Sequence, residues 1–135
     1  MKNKSLVNDY IIRAEHRLAA VNVLVQRKSW ADVVRESQEI VELCLKALLR
    51  SAKIAVPQIH DVGKILKEEI SKLPKKAQPH VAKLAKISHK LRRDRELAFY
   101  GSEDLTPSDF YEQKDGESAF EEATWVYRTV ASIIK

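Results

Sequence analysis

SWADVVRESQEIVELCLKALLRSAKIAVPQIHD, residues 29–61, is the stretch whose reading decides the fold. Its apolar side chains, Trp30, Val33, Val34, Ile40, Val41, Cys44, Leu45, Leu48 and Leu49, recur at spacings of three and four and so line one face of a helix. A stripe of that width needs a core to face, and the stretch therefore reads as the central helix of a bundle followed by a turn. Ser29 and Asp32 stand three apart, the spacing of a capping box, and Asp32 also lies against the positive end of the helix. Glu42 precedes Lys46 by four, the favourable order for an ion pair along the solvent side. Pro57 stops any continuation, and Asp61 is placed to cap the next helix.

Working outward, residues 5–26 carry Val7, Ile11, Ala14, Leu18, Val21 and Val25 at alternating fours and threes, which predicts a first long helix. The link at Lys28-Ser29 is so short that the first two helices should pack as an antiparallel hairpin. Beyond Asp61, the positions of Val62, Ile65, Leu66, Ile70 and Leu73 predict a third helix of about a dozen residues, ended by Pro74. Pro79 opens a fourth, lined by Val81, Leu84, Ile87, Leu91 and Ala98 and stopped near Gly101. Residues 102–116 read as a loop holding one short helical turn at Thr106-Pro107-Ser108-Asp109, with Phe110 and Tyr111 pinning it to the bundle. From Glu117 a last helix carries Phe120, Ala123, Val126, Tyr127, Val130, Ile133 and Ile134. The expected architecture is all-α, an up-and-down bundle of four long helices plus a short additional one, in a single domain over residues 1–135.

Composition narrows the function. A chain of 135 residues with 3 Gly and 4 Pro has room for one real core and little loop. No apolar run reaches the length of a membrane span, and residues 1–4 lead into an amphipathic segment, so the expected location is the cytoplasm. Cys44, the one cysteine, falls on the core stripe and reads as a packing residue. The histidines His16, His80 and His89 have no ligand-type partner four residues away, so neither a metal nor a cofactor is expected. Net charge is +5, and Lys83, Lys86, Lys90, Arg92, Arg93 and Arg95 crowd residues 83–95. Such clustering suits a polyanion, and it equally suits a solvated helix face.

The densest group of reactive side chains is RRDRELAFYG, residues 92–101. Arg92, Arg95 and Glu96 lie about one turn from one another and Tyr100 follows Glu96 by four, so guanidinium, carboxylate and phenol can share one side of the helix, with Asp94 in support. Arginine offers a planar, always charged fork for a phosphate, and tyrosine adds a neutral donor. An Arg–Glu network with a half-buried tyrosine is the competing reading. Glu36 and Glu39, three apart on the polar side of the central helix, are placed to approach Arg92 or Arg95, or to make structural salt bridges. His60 reads as a capping or packing histidine next to Asp61, or as a supporting site residue that moves a proton.

Residues 42–49 (ELCLKALL), Pro57, and the His60-Asp61 turn resemble the second helix and following turn of HEPN domains, small helical proteins of prokaryotes. The resemblance extends to the first-helix pattern, Arg95 to Gly101 and the last helix. It implies a homodimer with the arginine-bearing helices near the two-fold axis, so that two copies of Arg95 and Tyr100 line one cleft. In that family an arginine followed four to six residues later by histidine is implicated in metal-independent RNA cleavage. The arginine maps to Arg95, and Tyr100 stands where the histidine would. A phenol, with a pKa of about 10, is a poor base at neutral pH, so half of that machinery is altered. The resemblance also implies a minimal nucleotidyltransferase as partner in a toxin–antitoxin-like pair, with Tyr100 as the candidate acceptor of a nucleotidyl group. The readings that follow are RNA or nucleotide binding, an endoribonuclease in which Tyr100 or His60 moves the proton, and a non-catalytic interaction subunit.

Overall fold

The structure is a computed structural model that describes residues 2–56, 61–100 and 106–134, with the backbone alone for Lys2 and residues 94–100. The fold is all-α, and among the described residues there is no strand. Helix α1 spans Lys2–Gln26, α2 Trp30–Ser51, α3 Val62–Glu68, α4 Val81–Tyr100, α5 Pro107–Phe110 and α6 Gln113–Ile134.

Helix α2 is the axis. Val33, Ile40, Cys44, Leu45, Leu48 and Leu49 are wholly enclosed, and full burial of each leucine or isoleucine contributes about 1.5–3 kcal/mol. Those contacts come from three sides, because α1, α6 and α4 all pack on α2 while α4 and α6 barely touch each other. An ion pair of 2.7 Å between Arg17 and Glu36 and a bond of 2.8 Å from Asn3 Nδ2 to Arg50 O set α1 antiparallel to α2. Lys90 meets Glu122 at 3.0 Å and Lys76 Nζ reaches Ser132 O at 3.5 Å, which sets α6 antiparallel to α4. Trp30 packs on Gly116, so α6 starts where α2 starts. Helices α1 and α4 therefore run one way, α2 and α6 the other.

The ends of the helices hold the differences from expectation. Both α1 and α2 stop in a Schellman arrangement: Ser29 N bonds Leu24 O and Lys28 N bonds Val25 O, while Ile54 N bonds Leu49 O and Lys53 N bonds Arg50 O. The residues turned left-handed are lysines, Lys28 at φ 58° and Lys53 at φ 60°, where glycine is the usual choice. Helix α2 thus ends at Ser51 by its own backbone bonds, before Pro57 is reached. Pro57 and His60 lie outside the described residues. Ser29 occupies the N-cap of α2, yet its hydroxyl bonds Asp32 Oδ2 at 2.6 Å and no amide. Thr106 does the same with Asp109 Oδ2 at 2.8 Å. Asp61 does cap α3, accepting from Gly63 N at 3.0 Å and Lys64 N at 3.3 Å.

The third helix is shorter than its sequence pattern. After Glu68 the chain tightens into a 3₁₀ turn over Ile70–Lys72, leaving Ile70 exposed. The cause is Pro74, which pushes Leu73 into an extended conformation, φ −80° and ψ 154°, where Leu73 is still buried. Gly63 lets α3 approach α4 closely: a Cβ there would lie 3.1 Å from the Ala85 backbone. Helix α6, in contrast, begins a turn earlier than expected, because Asp115 Oδ2 accepts from Glu112 N at 2.8 Å. Gly116 is consequently a buried helical residue and not the end of a loop. Of the two aromatic pins, Tyr111 is buried and Phe110 stays exposed, its ring edge-on to Tyr111 at 4.9 Å.

Candidate functional site

Helix α4 carries the cationic run through to its C-terminal half as one continuous element. Val81, Leu84, Ser88 and Leu91 form its buried row, which leaves Lys83, Lys86 and His89 on the solvent side. Position 95 is the next in that row by helical spacing, and position 100 comes about 140° further round the helix. Helical spacing sets positions 92, 96 and 100 in one row of the backbone. The side chains of Asp94, Arg95 and Tyr100 lie outside the described residues, as does all of His60.

Arg92 is half-buried, and its Nη1 atom is enclosed without any hydrogen-bond acceptor. Among the described residues, two further enclosed polar atoms lack partners, Ser37 Oγ and Gln38 Oε1, both on α2. The bonding capacity of these three enclosed groups is unspent. An enclosed guanidinium nitrogen without an acceptor is costly, and an anion or a water relieves that cost.

The carboxylates expected to serve this region divide. Glu36 is engaged elsewhere, with Oε1 on Arg17 and Oε2 on Arg35, each at 2.7 Å. It sits on the α1 side of α2, so it is a clamp between the first two helices and not a companion of Arg92. Glu39 is half-buried on α2.

A cavity of about 260 Å³ opens where the start of α2, the middle of α4 and the start of α6 meet. Val34, Leu91, Tyr111 and Ala119 form its apolar wall, while Lys90, Lys114 and Ser118 supply polar groups. Asp115 also borders it, but one oxygen of that carboxylate is committed to the cap of α6. Lys90 is shared with Glu122 at 3.0 Å. Lys90 and Leu91 of its lining directly precede Arg92 in α4.

Sequence reading passed over two participants. Lys114 falls in the stretch read as a loop and Ser118 in the first turn of the last helix, and neither is among the site residues expected from sequence; the cap by Asp115 is the signal that the helix has already begun. Trp125 was left off the core stripe of the last helix, and it is only half-buried. Cys44 is enclosed and burial pushes its thiol from 9.0 up to about 12, so it has no nucleophilic role at neutral pH. The Tyr127 phenol is also raised, first by burial and then by the Glu15 carboxylate beside it, to which it donates at 3.4 Å. Among the described residues, no three His, Cys, Asp or Glu side chains gather as a metal site, and no helix is long and apolar enough to cross a membrane.

A family model described as HEPN domain matches residues 7–133. Among curated proteins and among solved structures, nothing matches the chain.

Proposed function

Because the chain belongs to the HEPN domain family, we propose that it binds RNA or a nucleotide through the positive end of α4, with Arg92 and Arg95 on phosphate and Tyr100 as a neutral donor. The observation that carries this reading is the enclosed, acceptor-free Nη1 of Arg92 within a helix that also bears Lys83, Lys86, Lys90 and Arg93. An arginine held part-way out of water with one nitrogen unspent is prepared for an anion and costs stability without one. The neighbouring hollow, walled by Leu91 and Tyr111 and edged by lysines, has room for a flat apolar group beside that anion. A homodimer that sets two Arg95 and two Tyr100 along one cleft completes the proposal, with a minimal nucleotidyltransferase as protein partner.

Binding is favoured over cleavage as the primary role. In an endoribonuclease of this kind Arg95 stabilises the charged transition state and a second group moves the proton. Tyr100, with a phenol pKa of about 10, holds almost no base form at pH 7. The test measures affinity of single-stranded RNA and of mononucleotides for the purified protein at low salt, with chelator present. Arg92→Ala and Arg95→Ala are each expected to weaken binding by about 1–3 kcal/mol, as for a charge-assisted hydrogen bond. Unchanged affinity in both variants refutes the proposal, and Arg95-dependent strand breakage in the same samples moves the assignment to the nuclease.

A further inference from the structure

Away from the end of α4, a second feature runs along its flank. Helices α4 and α6 both rest on α2 without packing on each other, so a groove lies between them, bridged by long side chains. Midway, Lys83 Nζ sits 3.9 Å from the centre of the Trp125 ring, and the His80 ring meets the same indole edge-on at 5.9 Å and 73°. On one side of the indole the groove widens to about 520 Å³ beside Lys83, Lys86, Ile87 and Lys90. On the other it widens to about 370 Å³ beside Lys76, His80 and Arg128. Glu122 is the acid bordering these hollows, and it is paired with Lys90. Among the described residues neither Lys83 nor Lys86 is in an ion pair. Both are exposed.

We infer that this groove is a track for single-stranded RNA, with phosphates along the α4 lysines and a base stacked on Trp125. The inference rests on the RNA-binding reading above and extends it to a surface separate from Arg92 and Arg95. Three features select this occupant. The charge excess is strongly positive, which complements a phosphate backbone. The cations flank one half-buried aromatic ring whose covering group is the exposed Lys83 side chain, and every base has a face that stacks on an indole. The groove is shallow and bounded by two helix flanks, so no element projects into the groove of a duplex. In the free protein, Lys83 covers the ring as a cation over its π face. A base taking that place holds the indole more firmly than a surface ammonium does, and the displaced Lys83 Nζ is then beside the flanking phosphate. Since α4 leads from Lys83 to position 95, a strand laid here arrives at the end where the phosphate site is proposed.

The test is fluorescence anisotropy of a labelled 12-nucleotide oligouridylate at two salt concentrations, with wild type, Lys83→Glu/Lys86→Glu, Trp125→Leu and Arg95→Ala. The double lysine variant, altered only at exposed positions, is expected to bind about tenfold or more weakly and with a smaller salt dependence. Trp125→Leu is expected to weaken binding about fivefold or more with salt dependence retained, its fold checked by circular dichroism. In a Trp30→Phe background, where Trp125 is the remaining tryptophan, RNA is expected to quench the emission. Wild-type affinity in Lys83→Glu/Lys86→Glu overturns the track. If Arg95→Ala alone loses binding, the phosphate site stands and the track falls; if the lysine variant alone loses it, the track stands and the phosphate site falls. Equal binding of duplex RNA, or of polyglutamate with the same lysine dependence, also overturns the assignment, because the occupant would then be a duplex or an acidic protein.

Discussion

Cys44 illustrates how a single enclosed group couples the molecule to pH. Burial raises its thiol from 9.0 to about 12. Below pH 9 both folded and unfolded chains carry the proton, and this contribution to stability is fully present. Above pH 9 the unfolded chain releases it while the folded chain keeps it, so stability falls as pH rises toward 12. At about 1.4 kcal/mol per unit, wild type should lose roughly 2 kcal/mol more than Cys44→Ala between pH 9 and 10.5, read by urea unfolding of both proteins. Cys44 is the smallest of the influences that raise the Tyr127 phenol, so the difference between the two chains reports chiefly on the thiol. Equal losses would mean that Cys44 is reached by solvent. The same stripe position that marked Cys44 as core in the sequence accounts for this behaviour, and no active-site argument is needed.

Elements show where spacing alone suffices and where it does not. The four long helices were legible because their apolar residues repeat at three and four, and burial rewards that period wherever a partner helix exists. Their ends were less so. Lys28 and Lys53 adopt left-handed conformations that residue type does not announce, and the hydroxyls of Ser29 and Thr106 prefer an aspartate to an amide. Asp61→Ala should therefore cost about 1 kcal/mol, whereas Ser29→Ala should cost only a few tenths, measured by thermal or denaturant unfolding. Gly116, read as the last residue of a loop, is a helical residue, and a glycine inside a helix has a packing reason where something presses on it. Here Trp30 does: a Cβ at position 116 would lie only 2.5 Å from Trp30 Cε3 and 3.3 Å from Trp30 Cβ. In an open helix Gly→Ala gains about 1 kcal/mol, but overpacking costs about 1–3 kcal/mol. Gly116→Ala should destabilise on balance, and adding Trp30→Leu should restore the gain expected of alanine. A double-mutant cycle with no coupling would show that α2 and α6 do not meet there.

At the scale of the whole molecule, the fold and family could be read from the chain because both rest on an ordered series of apolar faces. The cluster of charge on α4 was legible in the sequence, and the structure adds that Arg92 Nη1 is enclosed without an acceptor. Of the two readings left open for Glu36, the structural salt bridge is the one found, with Arg17 on α1, because helical spacing gives a residue's angle and not its neighbour. Trp125 and the groove beside it were missed for the same reason, since their chemistry exists only where α4 and α6 flank a third helix. That three-sided embedding of α2 has a consequence during synthesis. Its covering partners are made both before and long after it, and the last of them starts only at Gln113. At ordinary ribosomal speeds the intervening stretch takes on the order of ten seconds to appear. For that interval one flank of Leu45, Leu48 and Leu49 has no native cover, and the nascent chain depends on chaperones, or on dilution, to keep those leucines from finding a stranger.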